Sequence, residues 1–233
     1  MGRARVTRLV SAILARNEAA PERYLRRVLA RCAEFSDDIL LLDDGSTDDT
    51  AAIARAAGCV VVTRTATPAW GAEAPARREL WERASALTGA EGWVLVCDAD
   101  MELVGDPRPL TQSWDVGAWA WPLCDLWNER EFRVDGAWGY GPRTPRPWLF
   151  RPSALPTAID AVWPARGIHC GHAPANFLDH VACGIAPPST YWLHWAYATP
   201  AQRAAKHAAY IAESAQLTPF EQQHAASILD ADA

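Results

Sequence analysis

The sequence predicts an α/β protein with a mostly parallel central sheet flanked by helices, then a smaller irregular half and a C-terminal helix. Three observations predict it. Four short apolar runs, Leu9–Leu14, Ile39–Leu42, Cys59–Val62 and Trp93–Cys97, read as strands buried on both faces. Helical patterns separate them, giving the β-α-β-α-β-α-β order of a parallel sheet with right-handed crossovers. Beyond Gly105 the periodicity weakens, and residues 106–190 are rich in Pro, Trp and Gly.

The elements follow in order. Leu9 to Leu14 opens the sheet. Pro21 to Ala33 reads as a helix with Tyr24, Leu25, Val28 and Leu29 on one face. Asp38 to Leu42 is the second strand, and Asp43-Asp44-Gly45-Ser46 turns out of it. Ser46 is an N-cap candidate with an acid, Asp49, three residues on, so the spacing predicts a helix to Ala57, closed by Gly58. Cys59 to Val62 is the third strand, Pro75 to Leu87 a helix, and Trp93 to Cys97 the fourth strand. The irregular stretch predicts short strands and long ordered loops. A last helix is expected from Pro200 to Gln216.

Composition bounds the function. The chain has 233 residues, 50% hydrophobic and 21% charged, with net charge -6. That length builds one compact domain with a sizeable core. An acidic balance argues against broad non-specific nucleic-acid binding, which needs many phosphate contacts. The basic start is followed by an apolar stretch that Arg16-Asn17-Glu18 breaks, and no run nears the roughly 20 apolar residues of a membrane span. The six cysteines are scattered without a Cys-x-x-Cys pair. The expectation is a cytoplasmic protein with buried thiols. Nine of the twelve tryptophans lie between Trp114 and Trp195. They fill core or line a pocket, where indole faces stack on sugars or bases.

Asp98-Ala99-Asp100 follows the fourth strand. Ligands of such sheets bind beyond the carboxyl ends of the strands. Two hard oxygen ligands there suit Mg²⁺ or Mn²⁺, ions that clamp phosphates. Arg16, Asp43, Asp44, Asp98 and Asp100 all fall at such strand ends, so a diphosphate-linked nucleotide is the simplest substrate.

Ala15-Arg16-Asn17-Glu18-Ala19, Leu42-Asp43-Asp44-Gly45-Ser46-Thr47-Asp48-Asp49-Thr50, Ala76-Arg77-Arg78 and Asp98-Ala99-Asp100 occur in order. Together they resemble the motifs of family 2 glycosyltransferases with the GT-A (Rossmann-like) fold; Arg78 stands where the family usually has Asn. Trp148-Leu149-Phe150-Arg151, Gly167-Ile168-His169, Trp192-Leu193-His194-Trp195-Ala196-Tyr197 and Lys206-His207-Ala208-Ala209-Tyr210 resemble later blocks of bacterial β-glucosyltransferases of the lipopolysaccharide-core type. One departure stands out: those relatives often read Val-His-Glu where this chain has Ile168-His169-Cys170.

The resemblance implies one GT-A domain over residues 1–233, with a nucleotide-sugar half to about residue 110 and an acceptor half beyond. It implies transfer of a hexose from a nucleoside-diphosphate sugar, with UDP expected, to an acceptor hydroxyl with inversion. Asp100 and Asp98 are the expected metal ligands, with Asp98 on the ribose or the metal, and His194 a third ligand. Asp44 would accept from the base, Glu18 would hold ribose hydroxyls, and Ala15 would flank the base. Arg77 opens a helix, where the dipole already favours phosphate. The acceptor's proton needs a carboxylate. Asp179, at about the family's separation from Asp-x-Asp, Asp160 and Asp125 are the candidates.

The expected acceptor is a glycan or glycolipid, with a hydroxymethylated base in phage-type DNA as an alternative that the overall charge disfavours. Arg143 to Arg151 is basic and aromatic, suited to an anionic acceptor or to packing. Two rival readings remain. A nucleotidyltransferase would also set acids on such a rim, but Arg16 to Ala20 has no glycine-rich loop. A zinc-stabilised binding protein would use His169, Cys170, His172, His180 and Cys183, whose spacing fits no familiar finger.

Overall fold

A computed structural model describes residues 7–65, 73–164, 170–212, 215 and 217–230. The first half alternates as the sequence predicts. Strands β1 (Leu9–Ala15), β2 (Asp38–Asp43), β3 (Val60–Thr63) and β4 (Trp93–Asp98) are separated by α1 (Leu25–Ala33), α2 (Thr50–Ala56) and α3 (Ala74–Thr88). The second half holds β5 (Met101–Val104), β6 (Ala118–Trp121), β7 (Leu123–Asp125), α4 (Tyr140–Arg143), β8 (Arg146–Phe150), α5 (Phe177–His180), β9 (Cys183–Ile185), β10 (Tyr191–His194), α6 (Pro200–Ala212) and α7 (Pro219–Ala226).

Seven strands form one sheet in the order β3-β2-β1-β4-β8-β6-β9. The first four run parallel, β8 is antiparallel to both β4 and β6, and β9 is parallel to β6. Successive residues of β1 feed opposite faces, as the two-residue pleat requires. Leu9 and Ile13 pack with Leu25, Val28 and Leu29 of α1, while Val10 and Ala12 pack with Ala76, Leu80 and Ala84 of α3. Helices cover both faces, so the central strands carry apolar residues without alternation.

A second sheet of three strands, β5-β10-β7, stands beyond the end of β4. Its register sets His194 opposite both Met101 on β5 and Asp125 on β7. Through this small sheet the second half reaches the rim of the first.

Two helix starts differ from expectation. α1 begins at Leu25, not Pro21, and α2 at Thr50, with no side-chain cap from Asp49. The polar groups of the second loop bind the first loop instead. Ser46 Oγ accepts the Asn17 N–H at 2.9 Å, Thr50 Oγ1 the Glu18 N–H at 2.7 Å, and Asp48 Oδ2 the Ala19 N–H at 3.0 Å. Asn17 Oδ1 returns the link by accepting the Thr47 N–H at 2.9 Å. Gly45, at φ 71°, supplies the left-handed step that bends the chain out of β2.

Asn17 also takes the left-handed region, φ 55°, which Asn tolerates better than other residues with a Cβ. Asn17→Ala is expected to lower unfolding free energy in urea by about 1–2 kcal/mol, from the lost hydrogen bond and the strained backbone. Asn17→Gly should lose less, because only the side-chain link goes.

The sequence predicts one C-terminal helix; the structure has two. α6 ends at Ala212, and α7 starts at a capping box. Thr218 Oγ1 accepts the Glu221 N–H at 3.3 Å, while Glu221 Oε2 accepts the Thr218 N–H at 2.7 Å. Arg133 pins α7 to the irregular half. It donates to the Ser227 carbonyl at 2.7 Å and to Asp230 at 3.0 Å. No helix among the described residues is long and apolar enough to cross a membrane.

Candidate functional site

A cavity of about 950 Å³ opens at the carboxyl ends of β1, β2 and β4. This is the position at which open α/β sheets take ligands, where the strand order reverses beside β1. Ala15 and Arg16 leave β1 into it, Asp44 follows β2, and Asp98 and Asp100 close β4. Arg77 enters from α3, Asp125 and His194 from the small sheet, and Lys206 from α6. The wall on the far side is aromatic, with Tyr140, Trp148, Tyr197, Tyr210 and Phe220. Trp148 is the only tryptophan on the cavity wall among the described residues. Trp93, Trp121, Trp138 and Trp192 are core.

Asp98 is held from two sides. Arg77, 7% exposed, sets Nη1 2.7 Å from Asp98 Oδ1, an ion contact off hydrogen-bond alignment. His172 Nε2 lies 3.8 Å from Oδ2. Burial would push the Asp98 carboxyl up, but Arg77 and His172 hold it well below the usual range. Glu73, 3.5 Å from Arg77 on the preceding turn, shares the same guanidinium.

Asp100 faces His194. Nδ1 of that imidazole lies 2.6 Å from Asp125 Oδ1, and Nε2 lies 3.6 Å from Asp100 Oδ2. Burial disfavours the imidazolium, yet Asp100 and Asp125 raise its pKa to about 9. The backbone fixes the same geometry, since the Trp195 N–H donates to the Asp100 carbonyl at 2.9 Å. Lys206 belongs to this group: burial works against its charge, and Asp100, Tyr210, Asp98 and Glu73 more than offset it.

Two donors 3.6 Å apart can share one cation at bonds of about 2.1 Å. Asp125 holds the far nitrogen of His194, the outer-shell arrangement that orients ligating histidines. Among the described residues no group of three His, Cys, Asp or Glu closes a full protein cage. A Mg²⁺-type ion does not need one, because it binds through one or two carboxylates plus substrate phosphates and water. The residues present therefore fit such an ion through Asp100, and through His194 once Nε2 gives up the proton that Asp100 and Asp125 otherwise hold on it.

Glu18 lies inside the cavity beside the β1 rim. Its Oε2 is buried without a hydrogen-bond partner, and Arg23 stands 3.8 Å from Oε1. Burial raises its pKa to about 7, against the opposing pull of Arg23. A carboxyl raised on folding favours the folded state below its unfolded value and loses that contribution as pH climbs through the folded one. Stability should thus fall between about pH 4.5 and pH 7 on its account, by about 3 kcal/mol. Glu18→Gln is expected to raise the melting temperature at pH 8 and leave it nearly unchanged at pH 4.5. Equal shifts at both pH values would contradict this.

Several expected residues are not gathered. Asp43 is turned into the fold, 2% exposed, where its Oδ1 accepts the Ser46 N–H at 3.0 Å. Asp179 and Asp160 are exposed and do not line the cavity, whereas Asp125 does. Asp44 lines it in an ion pair with Arg64. Of the possible zinc ligands, His172 turns toward Asp98, His180 and Cys183 are exposed on α5 and β9, and His169 lies outside the described residues. The sequence reading assigned no role to Glu73 or Lys206. Both carried a faint signal: Glu73 lies four residues before Arg77, and Lys206 four before Tyr210, each pair on one helix face.

Residues 12–106 match the family model described as Glycosyl transferase family 2. Comparison with curated proteins finds no match. The chain is similar in structure to TarS of S. aureus, at 14% identity, covering 95% of this chain and 42% of that one, with TM-score 0.56. It also aligns with glucosyl-3-phosphoglycerate synthase from Mycobacterium tuberculosis, solved with Mn²⁺, UDP and glucosyl-3-phosphoglycerate. That alignment has 23% identity, covers 51% of this chain and 44% of that one, and has TM-score 0.35. The chain thus spans less than half the length of either protein. The segment that carries Asp44, Arg77, Asp98 and Asp100 has the sequence pattern of glycosyl transferase family 2, set in the GT-A-type α/β fold that the chain shares with TarS.

Proposed function

We propose that this protein is a metal-dependent glycosyltransferase that moves a hexose from a UDP-sugar to an acceptor hydroxyl with inversion. The observation that carries the reading is the meeting of Asp44, Arg77, Asp98, Asp100 and His194, from four separate places in the chain, on one cavity at the sheet's carboxyl rim. Both halves of the chain line that cavity, which supports treating residues 1–233 as one working unit. The lipopolysaccharide-core subtype belongs to this proposal and rests on the later sequence blocks.

The residues divide the labour by position. Asp44 and Ala15, at the β1–β2 rim, receive the base, and Glu18 the ribose. Asp98 holds Arg77 charged and pointed into the cavity, where a diphosphate gains from a fixed cation. Asp100 and His194 hold the divalent ion, Mn²⁺ or Mg²⁺. When bound, that ion supplies positive charge where the departing diphosphate becomes more negative. Of the three candidate bases, Asp125 is the one in the cavity, which favours it over Asp179 and Asp160. Its Oδ1 is engaged by His194, so proton removal falls to its second oxygen.

The test is a donor screen with several sugar nucleotides, with and without Mn²⁺ or Mg²⁺. The expected result is release of UDP from at least one UDP-sugar, only when the ion is present. No hydrolysis of any sugar nucleotide would overturn the reading. Pyrophosphate release from a nucleoside triphosphate and a sugar phosphate would replace it with nucleotidyl transfer.

A further inference from the structure

Arg146 opens β8, the strand next to β4, and lines the same cavity. Along the rim the order runs from Asp44 after β2, through Ala15 on β1 and Asp98 on β4, to Arg146 on β8. If the base lies at β1–β2 and the diphosphate at β4, Arg146 stands past the reacting carbon, on the acceptor side. This inference rests on the function proposed above.

Its surroundings are unusual for an arginine. The guanidinium lies over the rings of Tyr140 and Trp148, at 6.0 and 5.7 Å from the centroids. Its Nε is buried and makes no hydrogen bond. Among the described residues it forms no ion pair, although the cavity holds many acids. Three of those acids are already engaged: Asp125 by His194 at 2.6 Å, Asp98 by Arg77 at 2.7 Å, and Glu221 by the Thr218 N–H at 2.7 Å. A half-buried arginine with an unbonded buried Nε gains from a carboxylate or phosphate, because leaving a buried polar group unpaired is costly. Aromatic faces recover part of that cost and keep the planar fork rigid and ready for an oxyanion.

We propose that the acceptor carries an anionic group, a phosphate or a carboxylate, and that Arg146 binds it between Tyr140 and Trp148. The reaction then favours anionic over neutral acceptors, and Arg146 sets that preference as a specificity residue.

The experiment has two readouts on the full chain. In the first, inorganic phosphate, or acetate for the carboxylate arm, is titrated by calorimetry into protein saturated with UDP and Mg²⁺. UDP fills the donor's phosphate positions, so remaining oxyanion binding reports the acceptor side. Wild type should bind one of the two anions; Arg146→Gln should weaken that binding at least tenfold, and Arg146→Lys should fall between. In the second, methyl glucoside, glucose 6-phosphate and glucuronate are compared as acceptors by their kcat/KM. A phosphate-bearing or carboxylate-bearing sugar should exceed the neutral one at least tenfold in wild type, with the ratio collapsing in Arg146→Gln. No anion binding to the UDP-loaded wild type would overturn the inference even if the Gln variant failed to fold. Equal weakening toward neutral and anionic acceptors would overturn it too. Failure of UDP itself to bind would instead strike the proposed function.

Discussion

Asp100→Ala is expected to abolish the rise in melting temperature that UDP plus Mn²⁺ gives the wild type, and to cut transfer on the order of a thousandfold. A thousandfold loss corresponds to about 4 kcal/mol of transition-state stabilisation, a reasonable share for an ion acting on a leaving diphosphate. The physical ground is the pairing of Asp100 Oδ2 with His194 Nε2 across 3.6 Å, with Asp125 holding the other nitrogen. Removing the carboxylate takes away one of the two protein donors. It also removes the main charge that raises His194, so that imidazole should titrate lower in the variant. The His194 shift, read by NMR, separates a local change from general unfolding. An unchanged thermal response to UDP and Mn²⁺ would place the ion elsewhere.

Arg77→Met should cost about 3–5 kcal/mol of stability at neutral pH, as expected when one partner of a buried ion pair is deleted. Arg77 neutralises Asp98 at 2.7 Å and Glu73 at 3.5 Å, and the variant leaves both acids facing an apolar side chain. The pH dependence carries a definite sign. Asp98 is depressed in the folded protein, so its contribution is full above the ordinary carboxylate range and fades as pH falls toward the folded value. The deficit of Arg77→Met is therefore full near pH 7 and shrinks only as pH falls below about 4, where the Asp98 carboxyl begins to protonate in the unfolded chain. Adding Asp98→Asn should restore part of the loss, since the orphaned charge goes with it. A deficit that is flat with pH would mean that Arg77 acts through packing alone.

The strands were legible because both faces are covered. Leu9 to Leu14 and Trp93 to Cys97 had to be apolar throughout, and each observed strand ends within a residue or two of its apolar run. The site's rim was legible for the same reason, since polar residues directly after such runs have only the crevice to face. The loops were not. Ser46 has the spacing of a helix cap, yet its hydroxyl accepts from Asn17, 29 residues away. A local pattern gives no sign of a distant backbone donor that competes for the same oxygen. The pairing of His194 with Asp125 spans 69 residues and depends on the register of a sheet that the irregular half conceals. α7 is a different matter. Thr218-Pro219-Phe220-Glu221 is a complete capping box with proline at the first helical position, so its start stood open in the sequence. The expected C-terminal helix stopped at Gln216 and left this second one out. Arg146 illustrates a last gap: a sequence displays a charge but not whether the fold leaves that charge without a partner.

The most direct test of the central claim is anomalous diffraction at the manganese edge from crystals grown with UDP and Mn²⁺. The account predicts one peak within ligand distance of both Asp100 and His194, with the diphosphate beside it and uracil near Asp44. A manganese peak away from these two side chains, or uridine density outside the rim cavity, would contradict it.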